Sequence, residues 1–230
     1  MRIELKISIH QPAYLPWLGY LSRIAQSDIF VFLDTVQFEK NSFTNRNRIK
    51  TSTGPIWLTV PVLQQGHFEK KLYEIEIDPK QDWRKKHLKS IEMNYGRAPQ
   101  FSKRFPELQY LFKSDTHRLA DLCFEQLEFW LSQFNISTPI VRASTLAVTG
   151  KKSGLVVAIC KHLGATEYIS GPLGKGYLEL QEFEQNNIRV SYQEFEHPSY
   201  QQLYGEFMPA MSAVDPWMNC PNPSSLVQRN

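Results

Sequence analysis

The sequence of 230 residues predicts an α/β protein with a mostly parallel sheet. Apolar runs of strand length alternate with segments in which apolar residues recur at helical spacing. The strand candidates are nearly continuous apolar runs, which is typical of parallel strands buried on both faces. Hydrophobic residues make up 42% of the chain, and this is enough for a globular core. Ligands are therefore expected beyond the carboxyl ends of the strands.

The first predicted unit is strand, helix and strand. Residues 3–9 form an apolar strand pattern, residues 18–25 show helical spacing, and residues 29–33 form a second apolar run. Parallel strands joined in this way need a right-handed crossover. The first strand stops at His10 and the second at Asp34, so both side chains are expected at one edge of the sheet.

The middle of the chain predicts an inserted hairpin and a helical segment. Residues 34–55 are polar and indicate a long loop, and strand patterns at 57–63 and 72–77 flank a turn at Gln65-Gly66. Asp78 and Pro79 open a helical insertion that covers about residues 79–135.

The last third returns to strands and helices. We predict a strand at 139–143, a helix that ends at Gly164, and strands at 167–170 and 187–195. Together the elements predict a Rossmann-like sheet flanked by helices, in a single domain over residues 1–220 with a frayed tail at 221–230.

Composition excludes several classes of protein. The formal net charge is +3 and the basic residues are dispersed, so no nucleic-acid partner is predicted. No stretch has the roughly 20 apolar residues of a spanning helix, and no secretory signal is recognisable, so we expect a cytoplasmic protein. The three cysteines have no ligand-like spacing, and no disulfide framework or metal site is predicted.

The first strand end offers a candidate catalytic residue and an aromatic cluster. His10 is a candidate general base, or else a structural histidine that caps the following turn. Tyr14, Trp17 and Tyr20 are candidates for a wall against a sugar or base ring, although such residues commonly belong to the core.

The stretch NSFTNRNRIK offers polar groups for a substrate. Asn45, Arg46, Asn47 and Lys50 bring amides and cations into one predicted loop that could hold a phosphate or carboxylate. A solvated surface loop is the alternative. Asp34 favours a site, because a carboxylate at the end of a buried strand must face a cation, a donor or water.

Two later stretches add candidates. SGPLGKGY places Ser170, Gly171, Lys175 and Tyr177 in a turn that suits an anion, or in a plain strand exit. HPSYQQLYGEF places His197, Tyr200 and Tyr204 on one face if the stretch is helical, and His197 would then complement His10 as acid or base. Cys220 is a further candidate nucleophile.

The stretches IHQPAYLPWLGY, NRNRIKT, ATEYISGPLGKGYL and HPSYQQLYGEFMPAMSAVDPWMNC resemble the WbqC-like protein family. The resemblance implies a bacterial cytoplasmic protein of O-antigen or lipopolysaccharide biosynthesis. Pro221 stands where we expect glycine. The family motif covers these residues: His10, Gln11, Pro12, Tyr14, Leu15, Pro16, Trp17, Gly19, Tyr20, Asp34, Gln37, Phe38, Asn45, Arg46, Asn47, Lys50, Ser170, Gly171, Lys175, Tyr177, His197, Pro198, Tyr200, Leu203, Tyr204, Asp215 and Cys220.

The start of the chain is also similar to the nucleotide-binding half of pantothenate synthetase-type adenylating enzymes. Trp17 and Tyr20 occupy the places of the two histidines of those enzymes. This likeness implies a shared layout without the adenylation chemistry.

These residues favour a transferase that moves an acyl or aminoacyl group to the amino group of a nucleotide-linked amino sugar. The expected partners are a nucleotide sugar and an acyl or aminoacyl donor carrier, and the sequence identifies no cofactor. One alternative is a nucleotidyl-transfer or adenylate-forming enzyme, in which Asp34 would touch magnesium. Another is a noncatalytic assembly subunit of a glycan pathway.

Overall fold

Seven strands and seven α-helices form the chain in the computed structural model, which describes residues 4–63 and 70–227. The strands are β1 (Lys6–His10), β2 (Ile29–Phe32), β3 (Arg46–Thr51), β4 (Gly54–Thr59), β5 (Ile140–Arg142), β6 (Glu167–Ser170) and β7 (Arg189–Tyr192). The helices are α1 (Leu18–Ala25), α2 (Trp83–Tyr95), α3 (Phe101–Leu111), α4 (Leu119–Gln133), α5 (Lys152–Leu163), α6 (Leu180–Gln185) and α7 (Val214–Asn219).

Five of the strands form one parallel sheet in the order β5-β2-β1-β6-β7. The predicted α/β class with a mostly parallel sheet is therefore confirmed. From β1 the chain adds β2 and β5 on one side and then β6 and β7 on the other. The strand order thus reverses between β1 and β6, and such a reversal opens a crevice at the carboxyl ends of the two strands.

Side chains from the two faces of the sheet enter two cores. Phe30 and Phe32 pack with α1, α4 and the inserted segment, whereas Ile7, Ile9 and Val31 pack against α5 and α6. Strand residues alternate between the faces, so a parallel strand covered on both sides is apolar throughout. This explains the continuous apolar run that predicts β2.

The inserted hairpin is present but is formed by different residues from those predicted. β3 and β4 pair in antiparallel register through Arg46↔Thr59 and Thr51↔Gly54. The prediction of a loop is therefore wrong for residues 46–51, whose polar side chains find partners inside the fold. The predicted turn at Gln65-Gly66 lies outside the described residues, and residues 72–74 form a 3-10 turn.

Helix boundaries differ from the prediction at two places. α2 begins at Trp83, because the Asp78 carboxylate accepts hydrogen bonds from the Lys80 amide and Gln81 and so closes a turn first. The condition under which His197 and Tyr204 would share a helical face is not met, since residues 193–211 contain no helix. In the predicted tail, residues 223–227 form a 3-10 turn in which Pro223 and Val227 are buried.

His87 is a buried histidine. We expect its protonation to lower the free energy of unfolding at acid pH. Its Nδ1 lies 2.7 Å from the Tyr14 hydroxyl, and burial lowers its pKa to about 4. An unfolded histidine titrates near pH 6.5, so between these values the unfolded chain binds a proton that the folded chain does not. The folded state therefore loses stability as pH falls from about 6.5 towards 4.

A His87→Gln variant is expected to remove this dependence. From pH 7 to 4.5, its free energy of unfolding should fall by about 1–3 kcal/mol less than that of the wild type, measured by urea denaturation. His162→Gln, at an exposed position of α5, is the matched control and should keep the wild-type pH dependence. Equal pH dependence in all three proteins would contradict the assignment.

Candidate functional site

The carboxyl ends of β1 and β6 bring two predicted site segments together. β1 ends at His10 and β6 at Ser170, and the two strands pair through Ser8↔Ile169. We call the region formed by His10, Arg23, Ser170, Gly171 and Tyr177 the switch-point crevice. Its position is the one at which open α/β sheets bind ligands.

His10 presents a neutral imidazole at this crevice. Its Nδ1 lies 2.8 Å from the carbonyl oxygen of Gln11, and its ring packs edge-on against Trp17 and Tyr20. A carbonyl only accepts, so Nδ1 carries the proton and donates, which leaves the Nε2 lone pair free. Burial, together with the charge of Arg23, lowers the pKa of His10 to about 3, although the side chain keeps some exposed surface. The ring is therefore neutral at pH 7.

Arg23 is a component of the crevice that the sequence analysis missed. It lies on α1 and is only 5% exposed. A Cβ atom added to Gly171 would lie 2.2 Å from Arg23 Nη1, so the guanidinium group rests directly against the Gly171 backbone. Tyr20, Tyr168 and Tyr177 are its polar surroundings, and burial lowers its pKa. A charged residue within the apolar helix 18–25 was the signal available in the sequence.

The SGPLGKGY turn leaves β6 at the same edge. Ser170 Oγ donates to the Gly171 carbonyl at 3.1 Å, and Lys175 Nζ lies 5.3 Å from the centre of the Tyr192 ring. A Cβ atom on Gly174 would lie 2.0 Å from Ser170 Oγ, so the turn requires glycine there. Tyr177 is 46% exposed. The turn therefore carries a hydroxyl, a phenol and an ammonium group, of which the phenol of Tyr177 interacts with Arg23.

The β1–α1 loop is held in place from two sides. Asn47 Nδ2 donates to the Leu15 carbonyl at 2.7 Å, and the Ala213 amide donates to the Pro16 carbonyl at 2.6 Å. Leu15 has a φ of 44°, a conformation that a residue with a side chain adopts only when its surroundings impose it. Asn47 therefore supports the loop that carries His10, and its amide is not free for a ligand.

The other predicted residues of NSFTNRNRIK also use their polar groups within the fold. Asn45 Nδ2 donates to the Val60 carbonyl at 2.9 Å, and Lys50 Nζ donates to Gln202 Oε1 at 3.0 Å. Arg46 donates to the Asn41 carbonyl at 2.6 Å and stacks on Trp57. The structure therefore places these residues in the hairpin that supports the crevice, without a contact to His10 among the described interactions.

The predicted aromatic wall is mostly in the core. Tyr14 is fully buried, and Tyr20 is buried and donates its hydroxyl to the Gln11 carbonyl at 3.2 Å. Trp17 keeps exposed surface and packs against Phe43, which is itself partly exposed. Of the three predicted residues, only Trp17 therefore has exposed surface against which the ring of a ligand could stack.

Asp34 lies at the same edge of the sheet but in its other half. Its carboxylate accepts from Arg142 Nε at 2.9 Å, from the Ser144 amide at 2.8 Å and from Ser144 Oγ at 2.7 Å. It is fully buried, and Arg142 lines an open hollow of about 670 Å³ in front of it. The catalytic role of Asp34 stays a prediction, and these contacts show an anchor between β2 and β5.

His197, Tyr200 and Tyr204 lie in the irregular segment 193–211 rather than on a helical face. His197 Nδ1 lies 3.1 Å from the Pro198 carbonyl, while Tyr200 donates to Asp215 at 2.8 Å and Tyr204 to the Asn94 carbonyl at 2.9 Å. Among the described residues, His197 and His10 have no direct contact. The Phe195 ring packs against His197 and lies close to Gly19. Trp17 also lies close to Gly19 and packs against His10. An acid–base pair of the two imidazoles stays a prediction.

Cys220 is half-buried at the end of α7. Burial raises the pKa of its thiol to about 11, so the group is protonated at neutral pH and is a poor nucleophile. Within residues 4–63 and 70–227, no group of three His, Cys, Asp or Glu side chains is arranged to hold a metal ion. The helices of this part of the chain are also too short or too polar to cross a membrane.

The sheet order defines a doubly wound α/β protein, and the switch-point crevice is its candidate site at the reversal of strand order. The sequence profile of the WbqC-like protein family matches residues 11–225, and the chain belongs to this family. The chain is also similar to the uncharacterized protein Rv1507c of Mycobacterium tuberculosis, with 36% identity over 212 residues that cover 91% of each protein. No solved structure matches the chain.

Proposed function

We propose that the protein is a cytoplasmic enzyme of bacterial surface-polysaccharide (O-antigen) biosynthesis that transfers an acyl or aminoacyl group to the amino group of a nucleotide-linked amino sugar. The observation that carries the proposal is the neutral imidazole of His10, with Nε2 free, at the carboxyl end of β1 where the strand order reverses towards β6. This combination supports the proposal, because sheets of this kind bind nucleotides at that position and a neutral imidazole can act as a general base.

In the proposed reaction, His10 Nε2 accepts a proton from the amine as the amine nitrogen attacks the acyl carbonyl carbon. A carbon–nitrogen bond forms, the bond to the carrier breaks, and the proton passes from His10 to the departing carrier atom. The backbone amides of the turn after Gly171 are candidates to stabilise the oxyanion, since Asn45 and Asn47 use their amides within the fold.

A pKa of about 3 makes His10 a weak base in the ligand-free protein, and the charge of Arg23 is one cause. An anionic substrate group near Arg23 would offset that charge and raise the pKa of His10. Substrate binding therefore activates the base in this proposal, which suits a transferase that must not act on water or on other amines.

The test is a screen of the whole protein against nucleotide-linked amino sugars with acyl and aminoacyl donors. A bound substrate is expected to raise the melting temperature, and mass spectrometry is expected to show an amide product that forms only with both substrates. Exchange of pyrophosphate into ATP without an amide product would instead support adenylate formation. Binding without any turnover would contradict an enzymatic role.

A further inference from the structure

Arg23 is a buried cation without a partner. It is 5% exposed, its Nε is buried without a hydrogen bond, and no hydrogen bond or ion pair of the guanidinium group occurs within the described part of the chain. Only Nε is both buried and unpaired, so the two Nη atoms keep contact with solvent. A charge that is mostly removed from water and has no partner is unfavourable, so a folded protein tolerates it only when something else requires it.

Two other arginines of the same protein show the ordinary arrangement. Arg104 is 6% exposed and donates to the carbonyl oxygens of Cys220 and Pro221 at 2.8 and 2.9 Å. Arg142 forms ion pairs with Asp34 and Asp121 at 2.9 and 2.6 Å. Arg46, Arg48 and Arg84 also have a buried Nε without a hydrogen bond, but each donates through an Nη atom to a backbone carbonyl. Arg23 differs from all five of these arginines, because within the described residues its Nη atoms have no such acceptor.

The surroundings of Arg23 indicate what satisfies it. Its Nη1 rests against Gly171, the first residue after β6, at the edge of the sheet where ligands bind. Ser170, Tyr177 and Lys175 place hydroxyl, phenol and ammonium groups on the same turn. A planar guanidinium group binds an oxyanion through two parallel hydrogen bonds, and additional donors suit the further oxygens of a tetrahedral anion.

We propose that Arg23 binds a phosphate group of the substrate in the switch-point crevice, where the missing side chain of Gly171 lets the guanidinium group lie against the backbone of the turn. This assignment rests on the proposed function for the position of the substrate. It goes further in naming the chemical group that is recognised and the residue that recognises it.

The test compares the wild type with Arg23→Met and Arg104→Met in a thermal-shift assay. Each protein is measured in chloride buffer alone and with added inorganic phosphate, pyrophosphate, uridine diphosphate or acetate. The wild type is expected to be stabilised by the phosphates and not by acetate. Arg23→Met is expected to melt at a higher temperature than the wild type in chloride, because it removes an unpaired buried charge, and to lose the phosphate response.

Arg104→Met is the matched control, because it replaces a buried arginine whose hydrogen bonds are satisfied. It is expected to melt at a lower temperature and to keep the phosphate response. The assignment is overturned if Arg23→Met loses stability as Arg104→Met does and still responds to phosphate. A wild-type response to acetate alone would overturn the choice of phosphate.

Gly171→Ala provides a second variant that keeps the charge. The new methyl group would displace the guanidinium group, since its position lies 2.2 Å from Nη1. Calorimetry is expected to show uridine diphosphate binding about tenfold to a hundredfold more weakly than to the wild type. Unchanged affinity would overturn the assignment even if Arg23→Met did not fold. These measurements record stability and binding, not turnover. The phosphate site can therefore be confirmed or refuted independently of the transferase activity, which is tested by formation of the amide product.

Discussion

Replacing His10 with asparagine is expected to lower kcat by about 10²–10⁴-fold while ligand affinity changes little. The asparagine amide can still donate to the Gln11 carbonyl, as His10 Nδ1 does at 2.8 Å, so the loop keeps its conformation. The variant lacks the Nε2 lone pair that accepts the proton, and it also loses the edge-on ring contacts with Trp17 and Tyr20. The effect should therefore appear in the chemical step rather than in binding.

Steady-state kinetics with the substrates found by the screen, together with calorimetric affinities, separate these two effects. His162→Asn changes an exposed histidine of α5 and should behave as the wild type. Full turnover by His10→Asn would show that His10 is a structural residue of the turn. A loss of affinity equal to the loss of turnover would assign it to binding instead.

Replacing Asp215 with alanine is expected to destabilise the fold by about 3–5 kcal/mol. Asp215 is 1% exposed and accepts from the Tyr95 and Tyr200 hydroxyls at 2.7 and 2.8 Å and from Gln202 at 2.9 Å. Burial raises the pKa of this carboxyl group, and these three donors together with the charge of Lys50 oppose the rise. Alanine leaves the donors buried and unpaired, which is the costly outcome.

Urea denaturation at neutral pH measures this loss. Asp115→Ala, at an exposed position between α3 and α4, is the control and should stay within about 0.5 kcal/mol of the wild type. Asp215→Asn keeps one acceptor oxygen and should fall between the two. A loss below 1 kcal/mol in Asp215→Ala would mean that water enters and satisfies the three donors.

Periodicity in the sequence was sufficient to predict the strands of the sheet and helices α1, α4 and α5, because buried parallel strands and amphipathic helices leave strong apolar patterns. It did not indicate the short helix α6 between β6 and β7. It failed at β3, where Asn47 and Lys50 are buried as polar residues and their partners, Leu15 and Gln202, are distant in sequence. The hydrogen bonds that make such residues compatible with a strand are tertiary, so local composition indicates a loop.

The candidate site was also predicted only in part, because the sequence shows which residues follow strands but not which residues contact each other in the fold. His10 and Gly171 follow strands, and the rule for parallel sheets brings such ends to one edge. Arg23 lies within an apolar helix and carries no motif of its own, so its importance becomes visible only when its missing partner and its contact with Gly171 are known. The roles of Asp34 and Lys50 likewise depend on partners that the sequence does not identify.

The bond from the Ala213 amide to the Pro16 carbonyl has a consequence for synthesis on the ribosome. A nascent chain that ends before residue 213 can already contain β1 and α1, yet it lacks one of the two supports of the loop between them. The geometry around His10 is thus completed only after residue 213 has emerged. Incomplete translation products would carry the histidine without the conformation that positions it.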